Sequence, residues 1–188
     1  MQKRPQSHRL GIYLLQHHPI IHLEATITCS KMQHHHYKTK IKWTGNKGEG
    51  TTSYRAYGRE YNITIDHKPE ISGSADPAFC GDQTKHNPED LFVSSLAACH
   101  MLWYLHLCAE AGVVVIDYQD HATGTMTEAA DGSGHFEEVT LNPVVTVADE
   151  SMLTRAAELH GQANKFCFVA NSVNFPVRHN PTIIIQPS

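Results

Sequence analysis

Asn87-Pro88-Glu89-Asp90-Leu91-Phe92-Val93-Ser94-Ser95-Leu96-Ala97-Ala98-Cys99-His100 reads as the capped start of a long helix that carries a cysteine into an apolar segment. Asn87 is a good N-cap, Pro88 fits the first helical position, and Glu89 with Asp90 complements the positive end of the helix. Met101-Leu102-Trp103-Tyr104-Leu105-His106-Leu107 continues it to a stop near Gly112. The segment is apolar around most of its circumference, which predicts burial on nearly all sides. One subunit has few other elements to cover such a helix, so a dimer is expected.

Ahead of the helix, Tyr37–Trp43 alternates polar and apolar residues as a half-exposed strand does. Gly45–Gly50 reads as a glycine-rich turn, Thr51–Tyr57 as the returning strand, and Glu60–Ile65 as a third strand. Asp66–His86, broken by Pro69, Gly73, Pro77 and Gly81, reads as a long loop of the kind that tends to be functional. After the helix, Val113–Ile116 opens a strand running towards Glu128, Ala129–Gly134 turns, and Phe136–Val147 returns as the hairpin partner. Ser151–Asn164 forms a second, amphipathic helix, Cys167–Val173 a short helix or turn, and Thr182–Ile185 a closing strand. Strands, a buried helix, strands and a further helix make the class α+β.

At 188 residues the chain fits one domain with a substantial core. A net charge of −4 leaves no basic excess, which argues against nucleic acid as a partner. No apolar run reaches the roughly 18 residues of a membrane span, so no membrane is expected either. The five cysteines (Cys29, Cys80, Cys99, Cys108 and Cys167) are irregularly spaced and contain no C-x-x-C pair. That fits neither a secreted disulfide framework nor a zinc site, and reduced thiols in a cytoplasmic protein are expected. Lys3 and Arg4 before Leu10–Leu15 imitate the start of a signal peptide, but Gln16-His17-His18-Pro19 interrupts the apolar core, so export is not expected. Residues 1–36 read as a disordered extension and 37–188 as the domain, with no cofactor and no metal, His34-His35-His36 included. Cys99 and Cys167, each in a helix-like setting, suggest thiol redox chemistry.

These residues resemble the OsmC/Ohr family of organic hydroperoxide reductases. The resemblance is carried by Asn87-Pro88-Glu89-Asp90-Leu91, by Ala97-Ala98-Cys99-His100-Met101 and by Cys167-Phe168-Val169-Ala170-Asn171-Ser172. It implies an intertwined homodimer in which antiparallel sheets wrap a long buried central helix. It also implies that Cys99 is the peroxidatic thiol, oxidised to a sulfenic acid by an organic hydroperoxide, and that Cys167 resolves it to a disulfide. The implied reductant is a dithiol such as a lipoylated protein. Glu89 matches the glutamate that orients an arginine beside the thiolate; ten positions before Cys99, it lies roughly 15 Å away along the helix, so in one site it serves the cysteine of the other subunit or acts through the arginine, and either way the site belongs at a dimer interface.

That arginine is where the chain departs from the family. One branch carries it at the first hairpin turn, here Asn46-Lys47-Gly48, and the other in the loop near Phe79-Cys80-Gly81. Lys47, or Arg55 and Arg59 from neighbouring strands, are the candidate basic activators of Cys99 in its place, although a lysine lacks the bidentate fork of guanidinium. Cys80 is a candidate third redox thiol or an incidental loop cysteine. Cys108 reads as a small buried apolar residue, His100 and His106 as hydrogen-bonded core histidines, Trp103 and Tyr104 as packing residues, and Arg178 and His179 as solvated. Without the arginine, a non-catalytic stress-associated binding dimer is the alternative to a peroxidase.

Overall fold

The structure, a computed structural model, describes residues 33–186. The expectations placed on residues 1–32, Cys29 and the signal-like segment among them, lie outside the described residues. Residues 33–37 carry no regular secondary structure, and the elements below belong to the unit that begins at Lys38. They are β1 (Lys40–Trp43), β2 (Tyr61–Thr64), β3 (Ile71–Gly73), α1 (Pro88–Glu110), β4 (Val115–Asp120), β5 (Thr123–Glu128), β6 (Gly134–Leu141), β7 (Pro143–Val147), α2 (Leu153–Phe166), β8 (Val177–His179) and β9 (Thr182–Ile185). The class is mixed α+β.

α1 starts where its caps dictate. The Asn87 side-chain oxygen accepts the Asp90 N–H at 2.6 Å, Pro88 occupies the first turn, and Gly112 leaves the helix at φ 71°. The first hairpin differs from expectation. Thr51–Tyr57 forms turns rather than a strand, and β1 pairs instead with β2, Trp43 opposite Tyr61. A ring of local bonds holds the intervening loop: the Trp43 indole donates to Gly58 O at 2.8 Å, and Gly58 N donates to Gly45 O at 2.7 Å. The long loop at 66–86 contains β3, antiparallel to β2, and a short 3-10 turn at Pro77–Phe79.

The two long strands expected after α1 each break in the middle. β4 and β5 are separated by His121-Ala122, β6 and β7 by Asn142, and β8 and β9 by Asn180-Pro181. The ladders β4-β7-β9 and β5-β6-β8 are therefore the two halves of one bent sheet. Asn142 holds the bend: its N–H donates to the Asp120 carboxylate at 2.8 Å and its amide to His121 O at 2.9 Å. The sheets are not purely antiparallel. β8 runs parallel to β6 and β9 parallel to β7, because the α2 crossover returns the chain in the same sense.

Each half-sheet has its own core, and α1 crosses both. Leu96 packs with Val139 and Leu141; Tyr104 and Cys108 pack with Val145, Val147, Ala156, Leu159 and Ala163. The expectation that α1 is buried on nearly all sides does not hold for the single chain. Only Leu96, His100, Tyr104 and Cys108, one stripe at i, i+4 spacing, are buried, and Leu102 is 63% exposed. The chain supplies α2 and the bent sheet on one side only. Contrary to the expectation of no membrane-length apolar segment, α1 is long and apolar enough to span a membrane by length and composition alone. Its buried stripe is packed into the domain.

Candidate active site

Cys99 projects from α1, half-buried, towards Cys167, which is fully buried at the end of α2. The local chain explains the second position. α2 stops at Phe166, Cys167 turns to extended backbone (ψ 109°), and its sulfur accepts the Ala170 N–H at 3.4 Å as the chain enters a 3-10 turn. Burial raises the Cys167 thiol to about 11, and the neighbouring Cys99 adds to it. Cys167 is thus a protonated thiol beside Cys99. Among the four cysteines of the described residues, these two are the pair the fold brings together.

A raised thiol pKa lowers the thiolate fraction at neutral pH, and the thiolate is what alkylates. Iodoacetamide at pH 7.5 is therefore expected to modify Cys167 roughly 100-fold more slowly than exposed Cys80, as read by peptide mass mapping. Equal labelling of the two would contradict the buried, protonated Cys167.

Aromatic rings flank the pair. Trp103, one turn along α1, stacks on Phe166 at 5.3 Å between centroids and meets Phe168 edge-on at 5.5 Å. Phe168 is 68% exposed, so the apolar rim is open in the single chain.

His100, next to Cys99 on α1, belongs to a group of imidazoles with His160 of α2 and His179 of β8. His100 is a hydrogen-bonded core histidine, as expected: its Nε2 lies 3.0 Å from Nδ1 of His160, and both rings are fully buried. Tyr104 stacks on His160 at 3.9 Å. His179, expected to be solvated, is instead half-buried against His100, 5.6 Å between ring centroids. Burial lowers His100 to about 4 and His160 to about 3, and the neighbouring imidazoles add to it. A signal for His160 existed in the sequence, since it falls in phase with Ala156 and Ala163 on the apolar face of α2.

The remaining candidates lie elsewhere in the single chain. Glu89 stands at the far end of α1 in a cavity of about 620 Å³, with Asp76, His86, Asp90, Met126 and Phe136. One of its carboxylate oxygens is buried without a partner among the described residues. Lys47, Arg55 and Arg59 gather with Cys80, Gly81 and Asp82 around another cavity, of about 390 Å³, rather than at Cys99. Arg59 is already engaged: it donates to Tyr57 O at 2.6 Å and Tyr54 O at 2.7 Å and lies over both rings. Cys80 is exposed in a left-handed turn at φ 62°. Cys108 is buried, as expected. Arg178 is exposed and pairs with Glu138. Among the described residues, no group of three His, Cys, Asp or Glu is placed to hold a metal ion.

The family model for OsmC-like protein matches residues 81–181, more than half of the chain, which takes in Glu89, Cys99 and Cys167. Among solved structures, an OsmC-like protein of unknown function from Vibrio cholerae is 27% identical and superposes with a TM-score of 0.71, covering 79% of this chain and 99% of that one. An organic hydroperoxide resistance protein from Elizabethkingia anophelis shares the fold at a TM-score of 0.58 and 16% identity, covering 82% and 100% of the two chains. One from Legionella pneumophila does so at 0.57 and 19% identity, over 79% and 97%. No curated protein matches the chain.

Proposed function

The chain belongs to the OsmC-like protein family, and on that premise we propose that it is a thiol-dependent peroxidase acting on organic hydroperoxides. The observation that carries this reading is the meeting of Cys99 with Cys167 at the α1–α2 contact. The Cys99 thiolate attacks the outer peroxide oxygen, the O–O bond breaks, and the alkoxide leaves and takes a proton to become the alcohol. Cys99 is then a sulfenic acid. Cys167 condenses with it, expelling water and forming the Cys99–Cys167 disulfide before further oxidation makes the damage irreversible. An external dithiol, of which a lipoylated protein is one, returns both thiols. The rim of Trp103, Phe166 and Phe168 suits an alkyl or aryl group better than hydrogen peroxide.

The working unit in this reading is a homodimer. The outward face of α1, with Leu102 63% exposed, is the surface a second copy covers. Glu89 at one end of α1, and the Lys47, Arg55 and Arg59 group, would then serve the Cys99 of the other subunit. Sedimentation at micromolar concentration is expected to give a dimer; a well-folded monomer would remove both the interface and the shared site.

A second reading, a non-catalytic binding dimer, is favoured by one observation: the basic residues gather at Cys80 and not at Cys99. The rate of Cys99 sulfenate formation with an alkyl hydroperoxide separates the two.

A further inference from the structure

His100 and His160 have no part in the peroxide chemistry above, yet they join the two helices that bring the thiols together. They sit where the cores of the two half-sheets meet, between Leu96 below and Tyr104 above on α1. β8 ends beside them with His179, just before the chain bends at Asn180-Pro181. In the 3.0 Å contact one imidazole nitrogen donates and the other accepts, so the pair closes with both rings neutral. Nδ1 of His100 and Nε2 of His160 have no partner among the described residues.

Among the described residues, no carboxylate acts on either ring. From α1 the facing group is the Tyr104 ring; from β8 it is His179; from β4, beyond Tyr104, it is Tyr118. The carboxylate on that side, Asp120, accepts the Asn142 N–H at 2.8 Å and lies beyond Tyr118. The charged groups that act on either imidazole are the other imidazoles themselves. One proton would bury an unpaired charge, and a second would set two N–H donors against each other.

We propose that the His100–His160 pair is an acid-sensitive clamp: neutral, it holds α1 against α2; protonated, it releases that contact and parts Cys99 from Cys167. The consequence for disulfide closure rests on the peroxidase reading, whereas the clamp itself does not. The sign follows from linkage. Both rings hold fewer protons when folded, so acid favours the opened state, starting as pH falls below the ordinary histidine value near 6.5.

The test is hydrogen exchange of the full reduced chain, read by mass spectrometry at pH 7.5 and pH 5.0 and corrected for intrinsic rates. Protection in 96–108 and 156–167 is expected to fall at least roughly tenfold at the lower pH, and in the His100→Phe/His160→Phe variant to stay nearly unchanged. Undiminished protection of the wild type at pH 5.0 overturns the clamp, as does an equal loss in the variant. Should the variant not fold, histidine NMR titration of the wild type decides: His100 and His160 should stay neutral until helix protection is lost. Titration near 6.5 with the helices still protected overturns the proposal. A protein that keeps this pH response but reduces no peroxide at pH 7.5 retains the clamp and loses the function.

Discussion

Cys99→Ser is expected to lower organic hydroperoxide reduction on the order of 10³-fold or more, while Cys108→Ser leaves it nearly intact. A serine hydroxyl stays protonated at neutral pH and cannot replace the thiolate as nucleophile. Cys108 lies nine positions along the same helix, but it is 1% exposed in the core and burial raises its thiol. The two variants therefore separate a reactive thiol from a packing thiol on one helix. Cys167→Ser makes the third arm. It should still form the Cys99 sulfenic acid in the first turnover, yet yield no intramolecular disulfide on a non-reducing mass analysis. The assay follows peroxide loss with a dihydrolipoyl reductant. Equal activity in Cys99→Ser would sink the mechanism.

Leu96→Ala is expected to cost about 2–5 kcal/mol of folding stability, the range for truncating a buried leucine whose site cannot collapse. Leu96 is fully buried against Val139 and Leu141, and Phe92, Phe136 and Phe175 pack around it. That loss is a large share of the roughly 5–15 kcal/mol that stabilises a typical domain. Leu102→Ala is the comparison, since Leu102 is 63% exposed in the single chain. If the chain acts alone, that change stays within about 0.5 kcal/mol; if a second copy covers α1, it should cost more and make stability depend on protein concentration. Urea denaturation at two protein concentrations reads both effects. A Leu96→Ala variant as stable as the wild type would mean that this half of the core is misassigned.

Much of the architecture was legible in local signals. Asn87, Pro88 and the acidic pair after them marked the start of α1 to the residue, because a helix start is decided by groups within one turn of each other. β9 at Thr182–Ile185 came from a β-branched run, and α2 from a period of 3.6. The misreadings arose where pairing outweighed pattern. Thr51–Tyr57 has strand-like residues, but Trp43 bonds to Gly58 and Arg59 to the carbonyls of Tyr54 and Tyr57, so the segment closes as a loop. The strands after α1 read as two continuous runs because an Asn or His-Ala break is ordinary strand sequence until a partner strand breaks at the same level.

The sequence alone determined the α+β class, the capped helix with Cys99 along it, and the second helix that ends at Cys167, since each depends on residues close in the chain. The tertiary structure decided what those residues meet. His179 read as solvated and lies against two buried histidines; Lys47, Arg55 and Arg59 read as candidate activators of Cys99 and line one cavity with Cys80. The all-round apolar character of α1 resolved into one buried stripe and one open face. Local pattern records which side chains prefer to leave water, and only the packing of distant segments settles which of them find a partner.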